Sequence, residues 1–144
     1  MADAVIVPDT SILSRVLRRR EAARNGALCD FFRNLLFTRR MAVPGVVLQE
    51  LLSGMRESDG RAALLDRMAH FPRLFAHEED HRLAAEIVNK CQSGGIAAGT
   101  MDALIAAQAI RAGAEVLTAD RDFTRIALRI PELQLVPIPA DLLP

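Results

Sequence analysis

Four acidic residues stand at the borders of apolar segments, and this placement limits what the chain can fold into. They are Asp9 in VIVPDTSIL, Glu50 in VVLQELLSG, Asp102 in GTMDALIAAQAI and Asp120 in EVLTADRDF. A carboxylate beside a buried segment is costly unless it is paired, hydrogen-bonded or bound to a metal ion. The economical explanation is one shared pocket, in which a divalent cation offsets the repulsion among the four carboxylates.

The composition predicts one globular domain that spans residues 1–144. Hydrophobic residues make up 51% of the chain and charged residues 25%, which is typical of a folded protein and not of a disordered one. Basic and acidic residues number 18 each, and this neutral balance argues against a protein that coats polyanions over its whole surface. No apolar run is long enough to span a bilayer, so we expect no membrane association.

The two cysteines, Cys29 and Cys91, are far apart and form no CxxC motif. This spacing encodes neither a disulfide framework nor a zinc knuckle. Free thiols of this kind are expected in a reducing compartment, and the sequence therefore predicts a cytoplasmic protein.

Short apolar runs alternate with longer segments of helical periodicity, a pattern that predicts an α/β fold. Thr10 and Ser11 are expected to cap a first helix that continues to the break at Asn25-Gly26, and Thr100 is expected to cap a later one. The pattern predicts further helices over 28–36, 44–55, 61–69, 83–91 and 121–128. It predicts strands over 4–7, 41–43, 71–76 (broken by Pro72), 116–118 and 133–138.

Strands separated by helices predict a mostly parallel sheet that is covered by helices on both faces. Ligands of such sheets bind at the carboxyl ends of the strands. Asp9 directly follows the first strand, and Asp120 follows the strand at 116–118. We therefore expect both residues at the same edge of the sheet.

Each acidic residue taken alone has a simpler explanation. Asp9 or Ser11 could be a helix cap, and Glu50 could be a solvated residue at the margin of an apolar stripe. Asp102 could stabilise a helix dipole, although it shares its face with apolar residues such as Ile105. The four residues together favour a site over these separate explanations.

The order of the four segments resembles the PIN domain family, and more closely the VapC ribonuclease toxins of bacterial toxin–antitoxin pairs. The matching stretches are VIVPDTSIL, VVLQELLSG, GTMDALIAAQAI and GAEVLTADRDFTRIA, which together span nearly the whole chain. The resemblance implies a three-layer α/β/α fold and an endoribonuclease that depends on Mg²⁺ or Mn²⁺. One departure is Pro8, which stands where an apolar residue is expected and should alter the last hydrogen bond of the first strand.

The resemblance also implies roles for individual residues. The implied catalytic and metal-binding set is Asp9, Glu50, Asp102 and Asp120. Hydroxyl groups that would support the ligands or their waters are those of Thr10, Ser11 and Thr118. Asp122 matches a second acidic position of the last motif, so either Asp120 or Asp122 could be the fourth acidic ligand.

The partners implied by the resemblance are an RNA substrate, a second copy of the chain in a homodimer, and a cognate VapB-like antitoxin. Apolar helices at 28–37 and 46–55 could form the antitoxin groove or the dimer face. Two alternatives remain at this stage. One is a PIN nuclease that is not a toxin, and the other is a PIN-like scaffold that binds RNA or protein without cutting.

A rival enzyme hypothesis comes from the HEEDH segment, in which His77 and His81 match the HExxH pattern of zinc proteases. The segment lies at the predicted start of a helix among acidic residues, and no third zinc ligand is evident. A solvated, charged helix start is the favoured interpretation of this segment.

Overall fold

Five short parallel strands form the centre of the protein. The computed structural model describes residues 4–56 and 60–143. The strands are β1 (Ile6–Pro8), β2 (Val43–Pro44), β3 (Arg73–Leu74), β4 (Glu115–Leu117) and β5 (Gln134–Leu135). Each lies within one residue of a predicted strand, and β3 and β5 are much shorter than the predicted strands over 71–76 and 133–138.

The sheet has the order β3-β2-β1-β4-β5. One ladder joins β1, β4 and β5, another joins β2 and β3, and a parallel bridge between Ile6 and Met41 connects the two ladders. Every described strand pair is parallel, which confirms the predicted sheet type. Ile6 and Val7 point to opposite faces of the central strand and are both completely buried, so helices cover both faces of the sheet and the fold is the expected α/β/α sandwich.

Eight helices surround the sheet in the described part of the chain. They are α1 (Thr10–Leu17), α2 (Arg19–Arg24), α3 (Gly26–Thr38), α4 (Gly45–Ser53), α5 (Arg61–Met68), α6 (Glu78–Ser93), α7 (Thr100–Arg111) and α8 (Arg121–Arg129), followed by a 3₁₀ turn over Ala140–Leu142. None of these helices has the length and apolar content needed to cross a bilayer.

The prediction of one continuous first helix is wrong, because the chain breaks at Arg18. Arg18 adopts an extended conformation between α1 and α2 and donates a hydrogen bond from Nη2 to the Leu51 carbonyl at 3.2 Å. Its guanidinium lies so close to Gly54 that a Cβ there would sit 2.7 Å from Nη2. The break therefore depends on a contact with α4 that local periodicity does not encode.

Helix α7 occupies the middle of the core. Ala103, Ala106, Ala107 and Ala109 are buried on it together with Ile105, and these small side chains allow the extensive contact between α7 and α6. Because α7 carries Asp102 in its first turn, the packing of this helix fixes the position of that carboxylate.

The expectation of a fully solvated helix start at His77 to His81 is wrong for one residue, Asp80. Only 1% of Asp80 is exposed; it accepts hydrogen bonds from Arg111 on α7 and from the His77 N–H, the latter at 2.8 Å. Burial opposes ionisation of this group, but the two hydrogen bonds, together with the charges of Arg111 and His77, outweigh it and hold the pKa of Asp80 below its usual range. Asp80 thus caps α6 and ties it to α7.

We predict that Asp80→Ala destabilises the protein by about 2 kcal/mol, because it removes both a capping acceptor and the partner of Arg111. Urea unfolding followed by circular dichroism measures this loss. Glu79→Ala is the matched control, since Glu79 is exposed on the same helical turn and should change the unfolding free energy by less than about 0.5 kcal/mol. Equal effects of the two substitutions would contradict the assigned role of Asp80.

Candidate active site

Asp9 directly follows β1 and is buried, with 4% of the residue exposed. It is the N-cap of α1, and its Oδ1 accepts hydrogen bonds from the Ile12 N–H at 3.2 Å and from the Ser11 hydroxyl at 2.6 Å. Its Oδ2 accepts a hydrogen bond from the Thr118 hydroxyl at 2.5 Å. The predicted caps Thr10 and Ser11 are instead the first residues of α1, because the Asp9 side chain already fills the cap position.

The hydrogen bond that Pro8 cannot make is not the one that holds the Asp9 backbone. Ile6 donates its N–H to the Arg40 carbonyl on the β2 side, whereas Asp9 donates its N–H to the Leu117 carbonyl on the β4 side. Pro8 has the same alternation as Ile6, so its missing N–H lies on the β2 side. The bond that holds the Asp9 backbone against β4 is kept.

The hydroxyls of Ser11 and Thr118 join the first turn of α1, which follows β1, to the loop that follows β4. Both donate to the Asp9 carboxylate, so their oxygens are left to accept hydrogen bonds. The Ser11 oxygen accepts from the Ala119 N–H and the Thr118 oxygen from the Asp120 N–H, each at 2.9 Å. These bonds bring Asp120 to the same edge of the sheet as Asp9, as the parallel topology predicted.

Three carboxylates form the closest group at this edge. Asp102, Asp120 and Asp122 each offer an oxygen atom, and these atoms all lie within 4.8 Å of one another. We call these three residues the acidic cluster. Asp120 is also the N-cap of α8, where its Oδ1 accepts the Asp122 N–H at 2.9 Å. Both candidates for the fourth acidic position, Asp120 and Asp122, therefore belong to the cluster.

Glu50 lies beside the acidic cluster on α4. Its Oε1 accepts a hydrogen bond from the Thr10 hydroxyl at 3.0 Å, which ties α4 to the first turn of α1. Glu50 and Asp9 fall outside the group of closest oxygen atoms, but the charges of both act on Asp102. Every acidic residue identified in the sequence is thus present at one edge of the sheet, with three in the cluster and two flanking it.

Negative charge dominates the electrostatics of the site. Asp102 occupies the first turn of α7, where a helix dipole favours the charged form. Burial nevertheless raises its pKa from the usual 3.8 to about 6, and the charges of Asp120, Glu50, Asp122 and Asp9 add to the shift. A carboxyl group with these neighbours is stabilised by a proton or by a cation.

The pKa of Asp9 is also raised, and burial is the main cause. Hydrogen bonds from Ser11, Thr118 and the Ile12 N–H oppose the shift, while the charge of Asp120 adds to it. Asp9 is therefore well hydrogen-bonded, but burial and the charge of Asp120 still disfavour its ionised form.

The side chains of the site fit a hard divalent cation. The donors are carboxylate oxygens, three of them close enough to share one ion, and neither a thiol nor an imidazole belongs to the group. Mg²⁺ and Mn²⁺ prefer such oxygen ligands, whereas zinc sites favour nitrogen and sulfur.

The zinc protease hypothesis finds no support in the structure. His77 and His81 are exposed at the beginning of α6, and Asp80, which lies between them, accepts a hydrogen bond from Arg111. Across residues 4–56 and 60–143, the only group of metal-ligating side chains found within reach of a single ion is the acidic cluster.

One contact of the site was missed at the sequence level. Arg125 Nη1 lies 3.1 Å from Asp122 Oδ1, so the site contains a basic side chain as well as acidic ones. The spacing of three residues on a helix was the available signal, since residues at i and i+3 are neighbours on a helix surface.

Comparison with known proteins agrees with this geometry. The PIN domain profile matches residues 6–128. The chain belongs to the PIN domain family. Members of this family are nucleases that generally depend on a divalent metal ion.

Solved structures with the same fold include several toxin–antitoxin complexes. VapBC2 from Rickettsia felis, bound to a DNA fragment from its promoter, matches with a TM-score of 0.74 and 20% identity over 94% of this chain and 99% of that chain. VapBC-1 from nontypeable Haemophilus influenzae matches with 0.71 and 20% over 92% and 96%. VapBC-5 from Mycobacterium tuberculosis matches with 0.67 and 22% over 94% and 100%. At these identities the similarity establishes the PIN fold.

We predict that Asp102→Asn stabilises the metal-free protein at pH 7.5 but not at pH 4. Because the pKa of Asp102 rises from 3.8 to about 6 on folding, the folded state binds more protons between these values, and stability falls as the pH rises through this window. A shift of this size corresponds to about 3 kcal/mol, which partial exposure reduces to about 1 to 2 kcal/mol. The asparagine side chain does not ionise, so the variant avoids this loss of folding stability at high pH.

Thermal unfolding in EDTA at both pH values measures the effect. Asp66→Asn is the control, because Asp66 is exposed on α5, outside the site. Destabilisation by Asp102→Asn at pH 7.5, or an equal change in Tm at both pH values, would contradict the assigned electrostatics.

Proposed function

We propose that the protein is a metal-dependent endoribonuclease and the VapC-type toxin of a toxin–antitoxin pair. The observation that carries the proposal is the acidic cluster, with Asp9 and Glu50 beside it, on a PIN fold. The VapBC complexes among the structural neighbours support the toxin assignment. We also propose that the protein acts in the cytoplasm, where it would meet an RNA substrate and an antitoxin that masks the site.

The residues proposed to hold Mg²⁺ or Mn²⁺ are Asp102 and Asp120, with Asp122 as a further ligand and Asp9 and Glu50 acting through water. When bound, such a cation lowers the pKa of a coordinated water and neutralises charge on the phosphate, which suits phosphodiester hydrolysis. The raised pKa of Asp102 supports this assignment. Ionisation of this carboxyl group is costly in the metal-free site, and a bound cation would replace the proton and offset that cost.

The remaining side chains orient the site. Ser11 and Thr118 hold both oxygens of Asp9 in place, and Thr10 holds Oε1 of Glu50. Among the described residues Oε2 of Glu50 accepts no hydrogen bond, and this oxygen is the proposed acceptor of a proton from the attacking water. No serine or cysteine nucleophile is needed in this scheme.

Two cavities, whose lining includes none of the five acidic residues of the site, support a protein partner. One, of about 720 Å³, lies where α1, α2, α4 and α5 meet and is lined by Leu17, Met55 and Leu64 together with Arg18, Arg19, Arg20 and Arg67. The other, of about 510 Å³, includes Phe32, Leu36 and Phe71. Phe32 and Leu36 of α3 line one cavity, Gly54 and Met55 just after α4 line the other, and the two cavities share Leu17 and Arg67.

We propose that the C-terminal segment of a VapB-like antitoxin occupies these cavities. Their apolar floor and arginine rim suit a segment with apolar anchors and acidic residues. A basic side chain of the same segment would compensate the acidic cluster. We also propose a toxin homodimer, which is supported by the exposed Phe37 at the end of α3.

We predict that Asp9→Asn, Glu50→Gln and Asp102→Asn each reduce RNA cleavage by about 100-fold or more while the protein stays folded, because each removes charge from the proposed metal site. Cleavage of total RNA in Mg²⁺ or Mn²⁺ measures this loss, and circular dichroism checks the fold. EDTA should abolish wild-type cleavage.

Asp66→Asn is the control for the loss of a carboxylate and should cut RNA as the wild type does. Wild-type rates from Asp102→Asn, or cleavage by a thoroughly metal-depleted sample, would overturn the nuclease proposal and leave a PIN scaffold as the better account.

Expression of the protein alone should arrest bacterial growth, and co-expression with the small protein encoded next to it should restore growth. The Asp102→Asn variant should be harmless but should still co-purify with that small protein, because the proposed cavities lie outside the acidic cluster. Unimpaired growth in every case, with no co-purifying protein, would favour a PIN nuclease that is not a toxin.

A further inference from the structure

Among the described residues, Arg125 is the basic side chain that forms an ion pair with the acidic cluster. Its Nη1 lies 3.1 Å from Asp122 Oδ1, one turn along α8. The other five ion pairs within residues 4–56 and 60–143 all join residues outside the cluster. One cluster carboxylate therefore already has a cationic partner supplied by the protein itself.

The two cluster residues on this loop are held in different ways. Asp120 is fixed by the backbone, because its Oδ1 accepts the Asp122 N–H and its own N–H bonds the Thr118 hydroxyl. Asp122 is held through its side chain by Arg125, and this pair is largely solvated, with 48% of the Asp122 side chain and 63% of the Arg125 side chain exposed. Exposed pairs of this kind are weak and easily exchanged.

We propose that Asp122 is shared between Arg125 and the divalent cation, so that Arg125 competes with the cation and lowers its affinity. This inference rests on the proposed metal-dependent function and assigns the regulation of metal affinity to one side chain. The competition is for the Asp122 carboxylate: Arg125 pairs with Oδ1 of Asp122, and a cation bound by Asp122 has to weaken or displace that pair.

The test measures Mn²⁺ binding to the full-length protein from the electron paramagnetic resonance signal of free Mn²⁺. Arg125→Gln should bind Mn²⁺ about three- to tenfold more tightly than the wild type, the range expected for removal of one exposed competing charge. Arg121→Gln is the charge-matched control. It removes the same charge from the first turn of α8, and Arg121 makes no ion pair among the described residues.

The same substitutions in an Asp122→Asn background separate competition from a general charge effect. If Arg125 acts through Asp122, the tightening by Arg125→Gln disappears in this background, whereas any effect of Arg121→Gln persists. An affinity of Arg125→Gln within twofold of the wild type, or an equal tightening with and without Asp122, would overturn the proposal.

The outcome is distinguishable from a failure of the proposed function. Unchanged Mn²⁺ affinity in Arg125→Gln, together with RNA cleavage that EDTA abolishes, rejects the role of Arg125 and keeps the nuclease. Cleavage that persists in EDTA, with no Mn²⁺ bound by the wild type at millimolar concentration, rejects both.

Discussion

Mutual repulsion among carboxylates is the constraint on which the rest of the site depends. Asp102, Asp120 and Asp122 offer oxygen atoms within 4.8 Å of one another, and Asp9 and Glu50 add their charges from either side. Burial strengthens the repulsion, since water screens the charges less well near the core. Burial raises the pKa of Asp102 to about 6 and these neighbouring charges add to the shift, so that a cation is a suitable complement of the pocket.

The fold opposes this repulsion with packing and with hydrogen bonds. Asp9 is held at the end of the central strand by the hydroxyls of Ser11 and Thr118, which also fix the loop that carries Asp120. Asp102 is held by the packing of α7, whose buried alanines lie against α6. The strands that carry Asp9 and Asp120 into the site have only three residues each.

Much of this arrangement was predictable from local pattern. Asp9 and Asp120 follow apolar strands, so parallel topology alone placed them at one edge, and the apolar face around Asp102 directed that carboxylate toward the core. The break at Arg18 and the burial of Asp80 were not predictable, because both depend on contacts with distant helices: the Leu51 carbonyl in one case and the Arg111 side chain in the other. The position of Glu50 outside the cluster depends on side-chain conformation, which periodicity does not encode, whereas the pairing of Arg125 with Asp122 could have been found from their spacing on the helix.

The most direct test of the account is a crystal structure of the protein grown with Mn²⁺, in which anomalous scattering locates the ion. The account predicts an anomalous peak at the carboxyl edge of the sheet, with the oxygens of Asp102 and Asp120 at about 2.1 to 2.3 Å, typical of a hard cation bound by carboxylates. A peak at His77 and His81, or no peak near Asp102 at a Mn²⁺ concentration that supports RNA cleavage, would contradict it.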